Sequence, residues 1–170
     1  TAPRFAIKKS AKLKYLAMKK TTVFVTGGAG YCGSRLIPRL LDRGHKVTVY
    51  DLLYFGSEFL PLSNPNLTLV KGDIRDSEKI ATSCKNHDIF VSLACISNDA
   101  SFELDEGLST TINLDAFEPM VIAAKQSGVS RFLYASTSSV YGVSDSPDVT
   151  EEHPLVPLTL YNDYKGRCEP

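Results

Sequence analysis

The run "TVFVTGGAGYCGSRL" (22 to 36) constrains the fold more than any other stretch of the chain. "TVFVT" is a continuous apolar strand candidate, and Leu36, Ile37, Leu40 and Leu41 then recur at helical spacing until Gly44 closes the helix. Between the two stand Gly27, Gly28, Gly30 and Gly33. A strand that passes into a helix through so many glycines makes a tight turn. Its backbone N–H groups can approach an anion at which the helix N-terminus is also aimed. A pyrophosphate fits such a cradle. The plainer alternative is a close strand-to-helix turn that needs small residues.

The same alternation continues. "KVTVYD" (46 to 51), "LTLVKGD" (67 to 73), "DIFVSLA" (88 to 94) and "RFLYAS" (131 to 136) are strand candidates with apolar residues on both faces. Strands of that kind belong to parallel sheets covered by helices on each side. Segments 76 to 85 and 108 to 126 read as helices, the second with Ile112, Ala116, Met120, Ala123 and Ala124 as its apolar stripe. With right-handed crossovers, such a series forms an α/β doubly wound parallel sheet.

Composition narrows the class. At 170 residues, 43% hydrophobic and 22% charged, the chain suits one globular domain or part of a larger one. Nineteen basic residues balance nineteen acidic ones, so no global field favours nucleic acid or an anionic membrane. No apolar run approaches the roughly 20 residues that span a bilayer. Cys32, Cys84, Cys95 and Cys168 lie far apart, with no Cys-x-x-Cys pair and no zinc-ligand spacing. They read as reduced thiols, which implies a reducing, cytoplasmic setting and no metal. Residues 1 to 20 stand apart: Arg4, Lys8, Lys9, Lys12, Lys14, Lys19 and Lys20 occur there with no acid. They are expected to be a basic extension, extraneous or native or a targeting remnant, ahead of a dinucleotide-binding domain over 21 to 170.

Asp51 gives the glycine string its context. It ends the strand after the turn, 18 residues beyond Gly33. A carboxylate there can hydrogen-bond the adenosine ribose hydroxyls and repel a 2′-phosphate, which favours NAD over NADP. The alternative is a solvated residue at a strand end.

With the glycine turn and Asp51, the ordered motifs "GDIRD" (72 to 76), "SLACIS" (92 to 97), "STSSVYG" (136 to 142) and "YNDYK" (161 to 165) complete a set. From about Thr22 to Glu169 the chain resembles the extended short-chain dehydrogenase/reductase family, most of all its nucleotide-sugar epimerase and dehydratase branch. The resemblance implies a Rossmann fold, NAD as cofactor and a nucleotide-sugar substrate. It matches Thr26, Gly27, Gly30 and Gly33 to the family's glycine turn, and puts Tyr31 and Cys32 behind the pyrophosphate. It sets Asp73 and Ile74 beside the adenine, and makes Leu93, Ala94 and Cys95 the cofactor-lining segment. Asn113 would support the strand ends and Ser136 would face the cofactor. For Ile74 and Leu93 a place in the core is the competing assignment, and for Asn113 a solvent-facing helix position.

The same resemblance assigns the chemistry to Thr137, Tyr161 and Lys165. Tyr161 and Lys165 lie one helical turn apart. An ordinary phenol, with a pKa of about 10, is a poor base at neutral pH, and a nearby ammonium favours the phenolate. Thr137 would bond the reacting sugar oxygen, Tyr161 would take the hydroxyl proton, and Lys165 would also bond the nicotinamide ribose. Dehydratases and decarboxylases of the family carry an acid after the catalytic Thr, where this chain has Ser138 and Ser139. Epimerisation is therefore favoured over elimination. Two alternatives stay open: an NAD-dependent reductase or dehydrogenase of a non-sugar alcohol or ketone, and a non-catalytic dinucleotide-binding subunit. Family members run well over another hundred residues, so the chain is expected to be the cofactor-binding portion of a homodimeric enzyme, truncated before its last strands and substrate domain. Alone it would be inactive. Asp99 and Glu103, in the loop after the fourth strand, are expected as a polar loop and helix start, with contact to substrate as the alternative, and His45, His87 and His153 carry no assigned role.

Overall fold

The computed structural model describes residues 20–146 and 148–169. Apart from Lys20, the basic extension lies outside these. Five strands form one sheet: β1 (Thr22–Thr26), β2 (Lys46–Asp51), β3 (Leu67–Lys71), β4 (Ile89–Ser92) and β5 (Arg131–Tyr134). Their order is β3-β2-β1-β4-β5 and every neighbouring pair is parallel. Val23 sits between Val47 of β2 and Ile89 of β4. The strand order therefore reverses at β1, and the crevice beyond the carboxyl ends of β1 and β4 is where such sheets receive ligands.

Pleating sends alternate residues of β1 into two cores. On one face Phe24 packs with Tyr50, Phe90, Ile80, Met120, Ala123 and Ala124. Its ring lies 5.6 Å from that of Tyr50 and 5.0 Å from that of Phe90. These residues bring α2 (Ser77–Ser83) and α5 (Phe117–Gln126) onto that face. On the other, Val23, Val25, Val47 and Val49 meet Ile37 and Leu41 of α1 (Gly33–Asp42). Gly44, at φ +81°, lets the chain leave α1, its N–H reaching the Leu41 carbonyl at 2.8 Å.

Three expectations need correction. Burial on both faces holds for β1 and β2 but not for the edge strands: β3 and β5 are only half-buried because each has one neighbour. The last residues assigned to 67 to 73, 88 to 94 and 131 to 136 have left the ladder and form the loops of the site. Segment 108 to 126 is not one helix. It comprises the end of α4 (Glu106–Thr110), a π-helical turn (Thr111–Asp115) and α5, because α4 starts earlier, capped by Asp105, and Asn113 is held by a partner outside the helix.

Tyr50 links the core to the site rim. It is fully buried, and its hydroxyl donates to the Asp73 carbonyl at 2.9 Å. Burial, with Asp76 and Asp73 nearby, pushes its pKa from 10.0 to about 12. The folded chain thus holds this proton more tightly than the unfolded one. The associated stability is present below pH 10 and is lost as pH rises towards 12. Tyr50→Phe is expected to cost about 1 kcal/mol at neutral pH and to flatten the alkaline fall in stability, as read from denaturant midpoints across that range.

Candidate active site

The glycine turn is built at the end of β1. Gly27, at φ +71°, donates its N–H to the Tyr50 carbonyl at 3.0 Å, and a Cβ on it would come within 2.6 Å of the Ala94 amide nitrogen. The turn is therefore pressed against both neighbouring strands. A Cβ on Gly33 would lie 2.2 Å from the Gly28 carbonyl oxygen, so the start of α1 and the turn are in backbone contact. Gly30 differs: its Cβ would meet only the Gly27 oxygen, at 3.3 Å. That side of the turn is open, and Tyr31 and Cys32 beside it are exposed.

Asp51 does more than end β2. One carboxylate oxygen accepts from the Ala29 N–H at 2.9 Å and the other from the Leu53 N–H at 2.8 Å. The acid is thus fastened to the glycine turn itself, with lone pairs left for further donors. Asp73, past the end of β3, is gripped by Arg75 through Nε at 3.0 Å and Nη2 at 2.5 Å, and the Arg75 hydrogen bond holds its carboxyl below the usual range. Ile74 is buried in the first core, and Leu93 packs against the second. Ala94 and Cys95 line a small cavity with Ile74, Asn113, Tyr134 and Lys165.

Asn113 is buried rather than solvent-facing. Its amide forms a closed pair with the Ile96 backbone, accepting from N–H at 2.8 Å and donating to C=O at 2.9 Å. This braces the loop after β4. Lys165 and Cys168, on and just after α6 (Leu160–Arg167), complete that wall.

Lys165 is anchored inside the fold. It is 5% exposed, its Nζ donates to the Ala135 carbonyl at 2.7 Å, and it lies 4.7 Å from the centre of the Tyr134 ring. Its ammonium is held by β5 and the loop beyond, and the groups that shift the Tyr161 phenol are others. Burial pushes that phenol up, with Cys95 and Asp99 adding to the rise and the Asn98 N–H opposing it. Tyr161 itself leans on Phe102.

Thr137 caps a 3₁₀ turn (Ser138–Tyr141), its Oγ1 accepting from the Ser139 N–H at 3.3 Å. With Ser136, Ser138 and Tyr141 it lines a cleft of about 340 Å³. Among the described residues, Thr137 and Tyr161 make no hydrogen bond to each other. The cleft also holds two acids that spacing did not reveal, Glu151 and Glu169. Ser136 Oγ donates to Glu169 at 2.5 Å. Elimination was disfavoured from the residues next to Thr137 alone, whereas a surface loop brings a carboxylate to the same cleft from 14 positions further along. His45 is a core residue bonded to Thr21, and His87 bonds Thr48.

A reversal of strand order at β1, a glycine cradle there and an acid at the tip of β2 define a Rossmann-type nucleotide-binding domain. Residues 23–165 match the NAD dependent epimerase/dehydratase family, and the chain belongs to it. Among curated relatives, the low-salt glycan biosynthesis protein Agl12 of Haloferax volcanii is 37% identical over 86% of this chain and 49% of its own length. A 3-beta-hydroxysteroid dehydrogenase of Mycolicibacterium neoaurum is 35% identical over 83% of this chain and 38% of its own. The chain spans about half the length of the first of these and less of the second.

Among solved structures, a UDP-N-acetylglucosamine 4-epimerase from Methanobrevibacter ruminantium M1 superposes with a TM-score of 0.82 and 30% identity, over 89% of this chain and 49% of that one. The dTDP-glucose 4,6-dehydratase DesIV of Streptomyces venezuelae, crystallised with NAD, gives 0.79 and 30% over 86% and 49%. No helix among the described residues is long and apolar enough to cross a membrane, and no cluster of metal-ligating side chains occurs among them.

Proposed function

We propose that the chain is the cofactor-binding portion of an NAD-dependent nucleotide-sugar epimerase. The observation that carries this reading is Asp51 hydrogen-bonded to the glycine turn beside the open face of Gly30. A dinucleotide's pyrophosphate and its adenosine ribose need those two features side by side. Gly27, Gly30 and Gly33 would hold the pyrophosphate, with Tyr31 and Cys32 at its back. Asp51 would take the ribose hydroxyls, Asp73 and Ile74 the adenine, and Leu93, Ala94, Cys95 and Ser136 the remaining wall. Asn113 keeps that wall in place by bracing Ile96. When bound, NAD supplies the hydride acceptor and later donor. Thr137 orients the reacting sugar oxygen, Tyr161 removes its proton, and Lys165 reaches the nicotinamide ribose. The full-length protein is a cytoplasmic homodimer.

The 3-beta-hydroxysteroid dehydrogenase relative favours a second reading, oxidation of a non-sugar alcohol. The full-length protein, incubated with catalytic NAD and a panel of UDP- and dTDP-hexoses, separates the two. A stereoisomer formed without net reduced nicotinamide is the expected result. Stoichiometric reduced nicotinamide with a sterol, or an eliminated keto-sugar with a hexose, would overturn it.

A further inference from the structure

We propose that Asp99 is a positioning residue for Tyr161, acting through Thr159; this rests on Tyr161 being the base of the proposed reaction. Asp99 opens α3 (Asp99–Glu103), the short helix after β4, and Thr159 is the N-cap of α6. The Thr159 hydroxyl donates to the Asp99 carboxylate across 60 residues of sequence. The same hydroxyl oxygen accepts from the Asn162 N–H at 3.3 Å, so one side chain both caps the helix and moors it.

A second contact fixes the rotation. The buried Phe102, one turn beyond Asp99, meets the Tyr161 ring edge-on at 6.3 Å and the Tyr164 ring at 5.5 Å. The first turn of α6 is thereby pinned to α3 at two points, one polar and one aromatic. Lys165 adds a third anchor at Ala135. Without Asp99 the first turn of α6 loses the side-chain mooring of its N-cap to α3, and only the Asn98 N–H at the phenol still ties it there by a polar contact.

The carboxylate also stands in the field of the phenol. The titratable groups facing Tyr161 are Cys95 from the loop after β4, Asp99 from α3 and Tyr134 from β5. Of these Asp99 alone is a carboxylic acid, and its field raises the Tyr161 pKa. It therefore favours the protonated phenol. Asp99→Asn separates the two effects, because the amide oxygen still accepts from Thr159 while the charge is gone.

The test uses the full-length protein with ¹³Cζ-labelled tyrosine, the Tyr161 resonance being assigned by its loss in Tyr161→Phe. In Asp99→Asn the Tyr161 titration midpoint is expected to move to lower pH while amide exchange across 160 to 165 stays parental. In Asp99→Ala and Thr159→Val exchange there is expected to accelerate, and kcat to fall by on the order of 10²-fold, the scale of a misplaced reacting group. An unmoved midpoint in Asp99→Asn, or parental exchange in Asp99→Ala, overturns the proposal. Failure of the functional reading has a different signature: Tyr161→Phe would keep full turnover. The midpoint and exchange measurements do not depend on that outcome.

Discussion

Gly33→Ala will melt well below the parent, whereas Gly30→Val will melt close to it and lose affinity for NAD. At Gly33 an added Cβ lies 2.2 Å from the Gly28 oxygen and 2.4 Å from its carbonyl carbon. Both are backbone atoms, so α1 or the turn must move. Overpacking of this kind costs about 1–3 kcal/mol, which for a domain of this size lowers Tm by roughly 5 °C.

At Gly30 the backbone is not left-handed and the only neighbour is a single oxygen at 3.3 Å. A valine there leaves the two cores untouched and stands where the pyrophosphate would approach. A loss of about tenfold or more in Kd is expected, equivalent to at least roughly 1.4 kcal/mol. Thermal melts and calorimetric titration with NAD on the same three proteins check both halves. Parental NAD affinity in Gly30→Val would remove the glycine turn from the cofactor site.

Tyr161→Phe will lower turnover of the full-length protein by about 10²- to 10⁴-fold, the usual contribution of a general base, and leave NAD binding near parental. The phenol works as a base only when deprotonated, and burial pushes its pKa up. Turnover by the parent is therefore expected to rise with pH across the neutral-to-alkaline range, and that limb should vanish in the variant. A Lys165→Met variant should behave differently. Its ammonium is held by Ala135 and Tyr134, so its loss disturbs the wall shared with Cys95 and Asn113 as well as the chemistry. Rate–pH profiles beside NAD titrations distinguish the two. A Tyr161→Phe enzyme with an intact alkaline limb would move the base away from Tyr161.

The glycine turn, the five strands and the helix α1 were legible in the residues because each depends on local chemistry. Apolar runs make strands, glycines allow close approach, and Gly44 ends a helix whatever lies around it. The division of 108 to 126 was not legible. Its stripe of Ile112, Ala116 and Met120 is helical in period, but Asn113 takes its partner from Ile96, 17 residues back, and no periodicity records that bond. The edge strands read as fully buried because their side chains are apolar. Exposure depends instead on having one neighbour.

The sequence alone determined the doubly wound class, the position of the cradle and the acid at the tip of β2, since spacing along one chain segment sets all three. Tertiary structure alone decided which way Lys165 points, that Asp51 is tied to Ala29, that Asp99 moors the Tyr161 helix, and that Glu151 shares a cleft with Thr137. Each of these joins groups from separate elements. Their meeting is set by how the elements pack, and the energetic rank of a charge or a phenol is set by what packing removes from water around it.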